Sequence, residues 1–229
     1  MFDKAEELKR HLIEDHFFNG SRILNIFDDY HVKNIKDEAI KFFRDGFQET
    51  GVENINIYFQ IKEIKKGIKE RRENEIRALA KRIDETYEAT LSFLVFLLTS
   101  ISFNNGLDDK LRETYLKGDA DKLVKSALRF IDALHTVNIN VTFKPYSSLG
   151  FRPPFHGRYW INEVKGYIVD ASLDTYLSGR VFAQLMDDEN YQIINGLFNH
   201  EVEPRTRRFS PMNGETIRRV HNKISKIYR

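Results

Sequence analysis

Apolar side chains recur with two different periods along the chain, and the changes of period predict the order of its elements. Residues 2–18 and 35–47 carry them at helical spacing, which predicts two amphipathic helices. Residues 22–27 form a short apolar stretch, and residues 55–61 alternate and are rich in branched and aromatic side chains, as strands are. Strand, helix, strand is the unit of a parallel sheet.

Residues 62–135 contain no proline and are dense in Lys, Glu, Arg, Leu and Ala, so they predict two to four helices. Breaks between these helices are expected near Gly106 and Gly118. The longest apolar run, residues 91–103, is interrupted by Ser and Thr and is shorter than the roughly 20 residues that span a bilayer. It predicts a buried helix, with membrane attachment as the alternative.

The pattern returns to alternation at residue 137, where VNINVTF predicts a strand that is followed by a loop containing Gly and Pro. Three further short strands are expected at residues 156–161, 167–171 and 180–186, and a helix at residues 188–199. These elements predict an α/β fold with a mixed, mostly parallel sheet flanked by helices.

Composition and charge indicate the cellular location and the possible partners of the chain. The chain has 229 residues, enough for one continuous core, and its 0 Cys exclude disulfide and thiolate chemistry and favour a reducing, cytoplasmic location. Its charged first residues do not resemble a secretory signal. The net charge is +2, but residues 203–229 alone carry +6, which indicates contact with a polyanion or a solvated basic helix. The candidate nucleic-acid-binding residues of this tail are Arg205, Arg207, Arg208, Arg218 and Arg219.

Candidate chemistry lies between residues 156 and 174. His156 and Arg158 are two residues apart on one predicted strand, so they share a face, and Asp170, Ser172 and Asp174 share a face on a neighbouring segment. This set suits a phosphate, because Arg offers a planar fork to two oxygens, Ser adds a hydrogen bond, and a neutral imidazole attacks phosphorus or moves a proton.

The stretch HGRYWINEVKGYIVDASLD resembles the HxKxxxxD…GSxN pattern of the phospholipase D superfamily. In this resemblance His156 corresponds to the nucleophilic His, Arg158 to the Lys, Glu163 to the Asp, Ser172 to the Ser and Asp174 to the Asn. The match needs one extra residue before Ala171, which stands in place of Gly. The resemblance covers residues 21–201 as one phospholipase D-like half-domain. It leaves an N-terminal helix at residues 1–20, a helical insertion at residues 62–135 and a basic tail or helix at residues 202–229.

The resemblance implies phosphodiester hydrolysis in two steps without a metal or other cofactor. His156 would form a phosphohistidine, Arg158 and Ser172 would bind the phosphoryl oxygens, and Glu163 or Asp170 would orient the imidazole. Only one such motif is present, and family members with one motif build the site from two copies. A homodimer that places His156 beside its counterpart is therefore expected.

Three functions remain open from the sequence. The first is a nuclease, or a nuclease-derived binder of nucleic acid, for which a role in phage defence would be suitable. The second is a non-catalytic domain that binds acidic lipid, as the C-terminal domains of some MIT-domain proteins do. The third is a protein-interaction or assembly subunit that uses the helical insertion as its interface.

Other residues are assigned structural roles. Tyr159 and Trp160 are predicted to pack in the core or at its edge. Residues 28–30 (Asp-Asp-Tyr) follow a predicted parallel strand, where they would contact substrate or form a turn or cap. The remaining histidines lack HxxxH or HExxH spacing, and neither GxxxxGK[ST] nor GxGxxG occurs, so no metal and no nucleotide cofactor are expected.

Overall fold

The computed structural model describes most of the chain. The described residues are 21–28, 35–48, 50–60, 66–84, 87–99, 106–146, 158–169 and 183–229. The predicted N-terminal helix at residues 2–18 lies outside them.

Six strands of the described residues form one mixed sheet. They are β1 (Ile23–Phe27), β2 (Asn54–Gln60), β3 (Asn140–Tyr146), β4 (Arg158–Ile161), β5 (Gly166–Val169) and β6 (Ala183–Leu185). Their spatial order is β3-β2-β1-β4-β5-β6, in which β1, β2 and β3 are parallel and β4, β5 and β6 each run antiparallel to the preceding neighbour. The predicted α/β class, with a mixed sheet flanked by helices, is confirmed.

Helices connect the strands and cover both faces of the sheet. They are α1 (Asp37–Phe47), α2 (Lys66–Ile83), α3 (Tyr87–Thr99), α4 (Leu107–Leu116), α5 (Asp119–His135), α6 (Asp188–Leu197), α7 (Glu203–Thr206) and α8 (Gly214–Tyr228). A π-helical turn, Phe198–Val202, joins α6 to α7. The breaks predicted in the helical region are confirmed, since Gly106 precedes α4 and Gly118 adopts a left-handed conformation between α4 and α5.

The face of the sheet that we call the helical face carries Ile26, Ile57, Phe143 and Trp160, one residue from each of four adjacent strands. All four are buried in one core with α1, α3 and α5. Aromatic contacts join the layers: the ring of Phe43 in α1 lies 5.3 Å from Trp160 and 5.5 Å from Phe130 of α5. The packing role predicted for Trp160 is thus confirmed.

Helix α3 is surrounded by this core. Every residue from position 90 to position 97 is buried, and Phe96 reaches the sheet at 5.5 Å from Phe143. The apolar run at residues 91–103 therefore begins as a buried helix, as predicted, because the α2 and α8 helices cover the side that faces away from the sheet. Within the described residues, no helix has the length and hydropathy to cross a membrane.

The opposite face, which we call the C-terminal face, is covered by residues from the end of the chain. Tyr159 and Ile161 pack against Tyr191 and Ile194 of α6, while Phe198 packs against the ring of Tyr58. Earlier along the strands this face is polar and half-exposed, and Asn56 donates a hydrogen bond to Asn25 at 2.9 Å. The C-terminal face is therefore covered most completely near the carboxyl ends of the parallel strands.

The basic C-terminal segment is an integral part of the fold. Helix α8 buries Ile217, Val220, Ile224 and Tyr228 in the main core. Cations of this segment pair with carboxylates of α5 and of the residue after α2: the ion pairs are Arg218–Asp132 at 2.6 Å, Lys223–Asp84 at 2.9 Å and Arg229–Asp121. The high positive charge of residues 203–229 thus serves in part to dock the segment on individual carboxylates of the rest of the fold.

One strand begins later than its alternating pattern predicts. The pattern starts at residue 137, but β3 starts at Asn140. Helix α5 is extended by a turn in which the amide of Ile139 donates to the carbonyl of Leu134, and Asn138 takes a positive φ of 62°. An asparagine tolerates this left-handed conformation better than most residues, so the turn replaces the first three positions of the strand.

Substitution of Phe43 tests the central role of the helical-face core. Because Phe43 is fully buried between α5 and Trp160, Phe43→Ala is expected to lower the free energy of unfolding by about 3–5 kcal/mol. Ile193→Ala, at a side chain 50 % exposed, should change it by no more than about 0.5 kcal/mol. Denaturant unfolding of both variants measures the difference, and equal effects would contradict this assignment of the core.

Candidate functional site

The carboxyl ends of the three parallel strands meet at one edge of the sheet, which we call the carboxyl edge. Strand β4 begins at this edge because it runs antiparallel to β1. The spatial order of strands reverses here: β2 and β3 follow β1 on one side, while β4 to β6 lie on the other. In open α/β sheets such a reversal leaves a crevice beyond the strand ends, and ligands bind there.

Asp28 and Arg158 face each other across this point of reversal. Asp28 directly follows β1, and its amide donates to the carbonyl of Tyr58 at 3.1 Å, which holds the backbone in place. The Asp28 side chain is 2 % exposed and its Oδ1 lies 3.5 Å from Nε of Arg158, whose side chain is 21 % exposed. A buried carboxylate thus lies beside an arginine side chain that is partly exposed.

The structure describes one residue of the Asp-Asp-Tyr sequence at residues 28–30. The carboxylate of Asp28 is buried beside Arg158. Asp29 and Tyr30 lie outside the described residues, so the two roles considered for them stay predictions.

Of the predicted catalytic residues, the structure describes Arg158 and Glu163. His156 precedes Arg158 by two residues and lies outside the described part of the chain. The same is true of Asp170, Ser172 and Asp174, so convergence of these four side chains stays a prediction. Val169, the residue before Asp170, pairs in register with Arg158, which brings the end of β5 to the carboxyl edge.

Glu163 lies at the opposite end of β4 from Arg158. It occupies the turn between β4 and β5, where the Asn162 side chain accepts hydrogen bonds from the amides of Val164 and Lys165 at 2.8 and 2.7 Å. Glu163 accepts a hydrogen bond from Ser21, which precedes β1 at the opposite edge of the sheet. At roughly 3.3 Å per residue, the length of β4 separates Glu163 from Arg158 by more than about 10 Å. Glu163 therefore cannot orient a group beside Arg158.

The prediction that Glu163 lies beside Arg158 failed for a simple physical reason. It used spacing along the sequence, but in a hairpin the residues that come into contact lie on opposite strands, and the turn lies at the end of the strands away from Arg158. Strand register decides which side chains meet, and register pairs Arg158 with Val169.

A second polar group lies on the C-terminal face near the carboxyl edge. The hydroxyl of Tyr58 donates to Glu203 at 2.9 Å and accepts from Lys144 at 3.1 Å. The Lys144 ammonium also lies 5.2 Å from the centre of the Tyr58 ring. Burial, with the nearby Glu203 carboxylate, raises the pKa of Tyr58, so its hydroxyl stays protonated and donates at physiological pH.

Lys144 and Glu203 also line a cleft of about 180 Å³ beside the end of β3. The other lining residues are Pro145, Thr206, Arg207, Phe209 and Pro211. This cleft was not predicted from the sequence. The alternating polar residues Asn140, Thr142 and Lys144 of β3 indicate a polar face, but the cleft also needs residues 203–211. Those residues lie about sixty positions later, so spacing along the chain does not connect them with β3.

The five predicted nucleic-acid-binding arginines differ in their surroundings. Arg205 forms an ion pair with Glu201 at 3.2 Å, and Arg218 makes two contacts to Asp132 at 2.6 and 2.7 Å. Arg207, Arg208 and Arg219 are exposed and form no ion pair among the described residues. Arg207 lines the cleft, so it is the member of the set that lies beside a concave surface.

Within the described residues, no three His, Asp or Glu side chains come together in a group that could hold a metal ion. Comparison of the chain with protein-family models, with curated proteins and with solved structures found no match. Function must therefore be inferred from the residues of the chain itself.

A double-mutant cycle tests the coupling of Asp28 and Arg158. Arg158→Met leaves a buried carboxylate without this cation, so it is expected to lower the free energy of unfolding by about 3 kcal/mol. Asp28→Asn combined with Arg158→Met should cost less than the sum of the two single substitutions, because neither charge then remains. Denaturant unfolding of the four proteins gives the coupling energy. Strict additivity would show that the two side chains do not interact.

Proposed function

We propose that the chain binds the phosphodiester backbone of nucleic acid at the carboxyl edge and hydrolyses it through His156. The single observation that supports this proposal is the partly exposed Arg158 side chain beside the buried carboxylate of Asp28, at the point where the strand order reverses. The planar fork of a guanidinium matches two oxygens of a phosphate. His156 is two residues away on the same segment.

In the proposed first step, a neutral imidazole nitrogen of His156 attacks phosphorus. The new P–N bond forms as the bond from phosphorus to the leaving oxygen breaks, and a second histidine donates a proton to that oxygen. In the second step this histidine takes a proton from water, whose oxygen attacks phosphorus and breaks the P–N bond. Arg158 stabilises the negative charge of both transition states.

The second histidine is proposed to come from another copy of the chain. One motif supplies one nucleophile, so a symmetric homodimer would place the partner's His156 on the other side of the phosphate. Ser172 and Asp170 keep the roles given to them by the resemblance to the phospholipase D superfamily, a hydrogen bond to phosphate and orientation of the imidazole. Arg207, Arg208 and Arg219 supply the exposed positive charge that attracts a polyanion.

The two alternatives have less support. An assembly surface on the helical insertion needs a contiguous apolar patch. Among the residues of the insertion whose burial the structure describes (74–84, 87–97 and 106–135), Leu116 is the sole large apolar side chain that is exposed. Binding to acidic lipid would use the same basic residues as binding to nucleic acid, and no observation on the described residues favours a membrane surface over a strand of nucleic acid.

Cleavage by wild type and His156→Ala tests the proposal. Labelled single- and double-stranded DNA and RNA are incubated with each protein in the presence of a chelator, and products are separated by electrophoresis. The wild type is expected to cleave, and His156→Ala should lose at least about a hundredfold in rate, since it removes the nucleophile.

Two controls make the result specific. Circular dichroism and sedimentation must show that both proteins have the same fold and oligomeric state. Arg129→Gln, which alters an exposed cation paired with Asp37 and outside the candidate binding set, should cleave like the wild type. Wild-type protein that binds nucleic acid with steep salt dependence but does not cleave would reduce the proposal to phosphate recognition. Absence of both cleavage and binding would overturn it.

A further inference from the structure

The cleft beside the end of β3 has the composition of a site for a nucleotide. Lys144 and Arg207 bring two positive charges and Glu203 brings one negative charge, so the cleft carries a net charge of about +1 at neutral pH. Pro145, Phe209 and Pro211 form an apolar wall. A lining that combines cations with apolar side chains suits a phosphate with a sugar or base attached.

The cationic side of the cleft is held in place before any ligand arrives. Tyr58 is buried, and its hydroxyl accepts one hydrogen bond from the Lys144 ammonium at 3.1 Å, while Glu203 lies 3.7 Å from the same nitrogen. An ammonium has three N–H donors, so at least one remains for a ligand. Because Tyr58 and Glu203 fix Lys144, less side-chain entropy is lost on binding than for a mobile surface lysine.

Arg207 completes the cationic side. It is exposed and forms no ion pair among the described residues, in contrast to Arg205 and Arg218. The neighbouring Thr206 hydroxyl donates to the carbonyl of Glu203 at 2.7 Å, so this donor is already used. The phosphate contacts in the cleft would therefore come from Lys144 and Arg207.

The cleft and Arg158 open at the same edge of the sheet but on different faces. Lys144 lies on the C-terminal face with Tyr58, and Arg158 lies on the helical face with Trp160. Three strand spacings separate β3 from β4, which is roughly 14 Å. A ligand that reaches both places must pass over the edge of the sheet. A single strand bends over this distance, whereas a duplex with a persistence length of about 50 nm resists it.

We infer that the cleft is a second subsite for a single-stranded nucleic acid, in which Lys144 and Arg207 hold one phosphate and the apolar wall contacts the attached nucleoside. This inference rests on the proposed function, because it takes Arg158 as the place of the other phosphate. Unstacked bases on apolar side chains are typical of proteins that bind single strands.

Binding of a labelled eight-nucleotide single strand tests the subsite. Affinity is measured by fluorescence anisotropy at several salt concentrations, in chelator and in a His156→Ala background that prevents turnover. Arg207→Gln is expected to weaken binding about tenfold, the usual effect of losing one charge-assisted hydrogen bond. It should also reduce the slope of log affinity against log salt by about 0.7, because one phosphate contact is lost.

Lys144→Met provides a second variant, and Arg129→Gln is the matched control. Lys144→Met should weaken binding by a similar factor, while Arg129→Gln, whose charge is paired with Asp37, should bind like the parent. Arg207 is exposed, so its variant is expected to fold even if Lys144→Met does not. An eight-base-pair duplex should bind at least about tenfold more weakly than the single strand.

The outcomes separate the subsite from the proposed function. Unchanged binding by Arg207→Gln overturns the subsite, and cleavage by wild type that His156→Ala loses would still support the proposed function. Loss of binding in Arg207→Gln with equal loss in Arg129→Gln also overturns the subsite, because it shows a non-specific charge effect. Equal affinity for the duplex overturns the assignment to single strands.

Discussion

The fold depends on burial of the helical face of the sheet against α1, α3 and α5. Ile26, Ile57, Phe143 and Trp160 come from four adjacent strands and lose almost all contact with water there. Burial of large apolar and aromatic side chains is the dominant favourable term in folding. Because one face is buried so completely, strand register cannot slip by one residue without exposing this core.

Register then decides what meets at the carboxyl edge. The same alternation that buries Ile26 and Trp160 places Asp28 and Arg158 on one face, two residues further along β1 and two residues earlier in β4. On the other face it aligns Phe27, Tyr58 and Lys144 in a row. The two candidate subsites are thus consequences of how the core is packed.

The C-terminal segment shows how charge takes part in packing. Its positive charge predicts a polyanion-binding tail, yet α8 buries four apolar side chains, and three cations of the segment pair with Asp132, Asp84 and Asp121. Exposed ion pairs of this kind contribute little energy each, so their main effect is to orient the helix while its apolar face provides stability. The exposed cations that form no ion pair among the described residues are a smaller set than the charge alone indicates: Arg207, Arg208, Arg219 and Lys226.

The sequence by itself determined the α/β class, the order of the six described strands and of the helices between residues 35 and 199, the two glycine breaks and the buried character of α3, because hydrophobic period and turn residues are local properties. It also identified Arg158 as a phosphate-binding candidate. Only the tertiary structure placed Asp28 beside Arg158, separated Glu163 from it and joined Lys144 to residues 203–211 in one cleft. Those contacts depend on strand order and register, which are set by packing between distant segments and not by spacing along the chain.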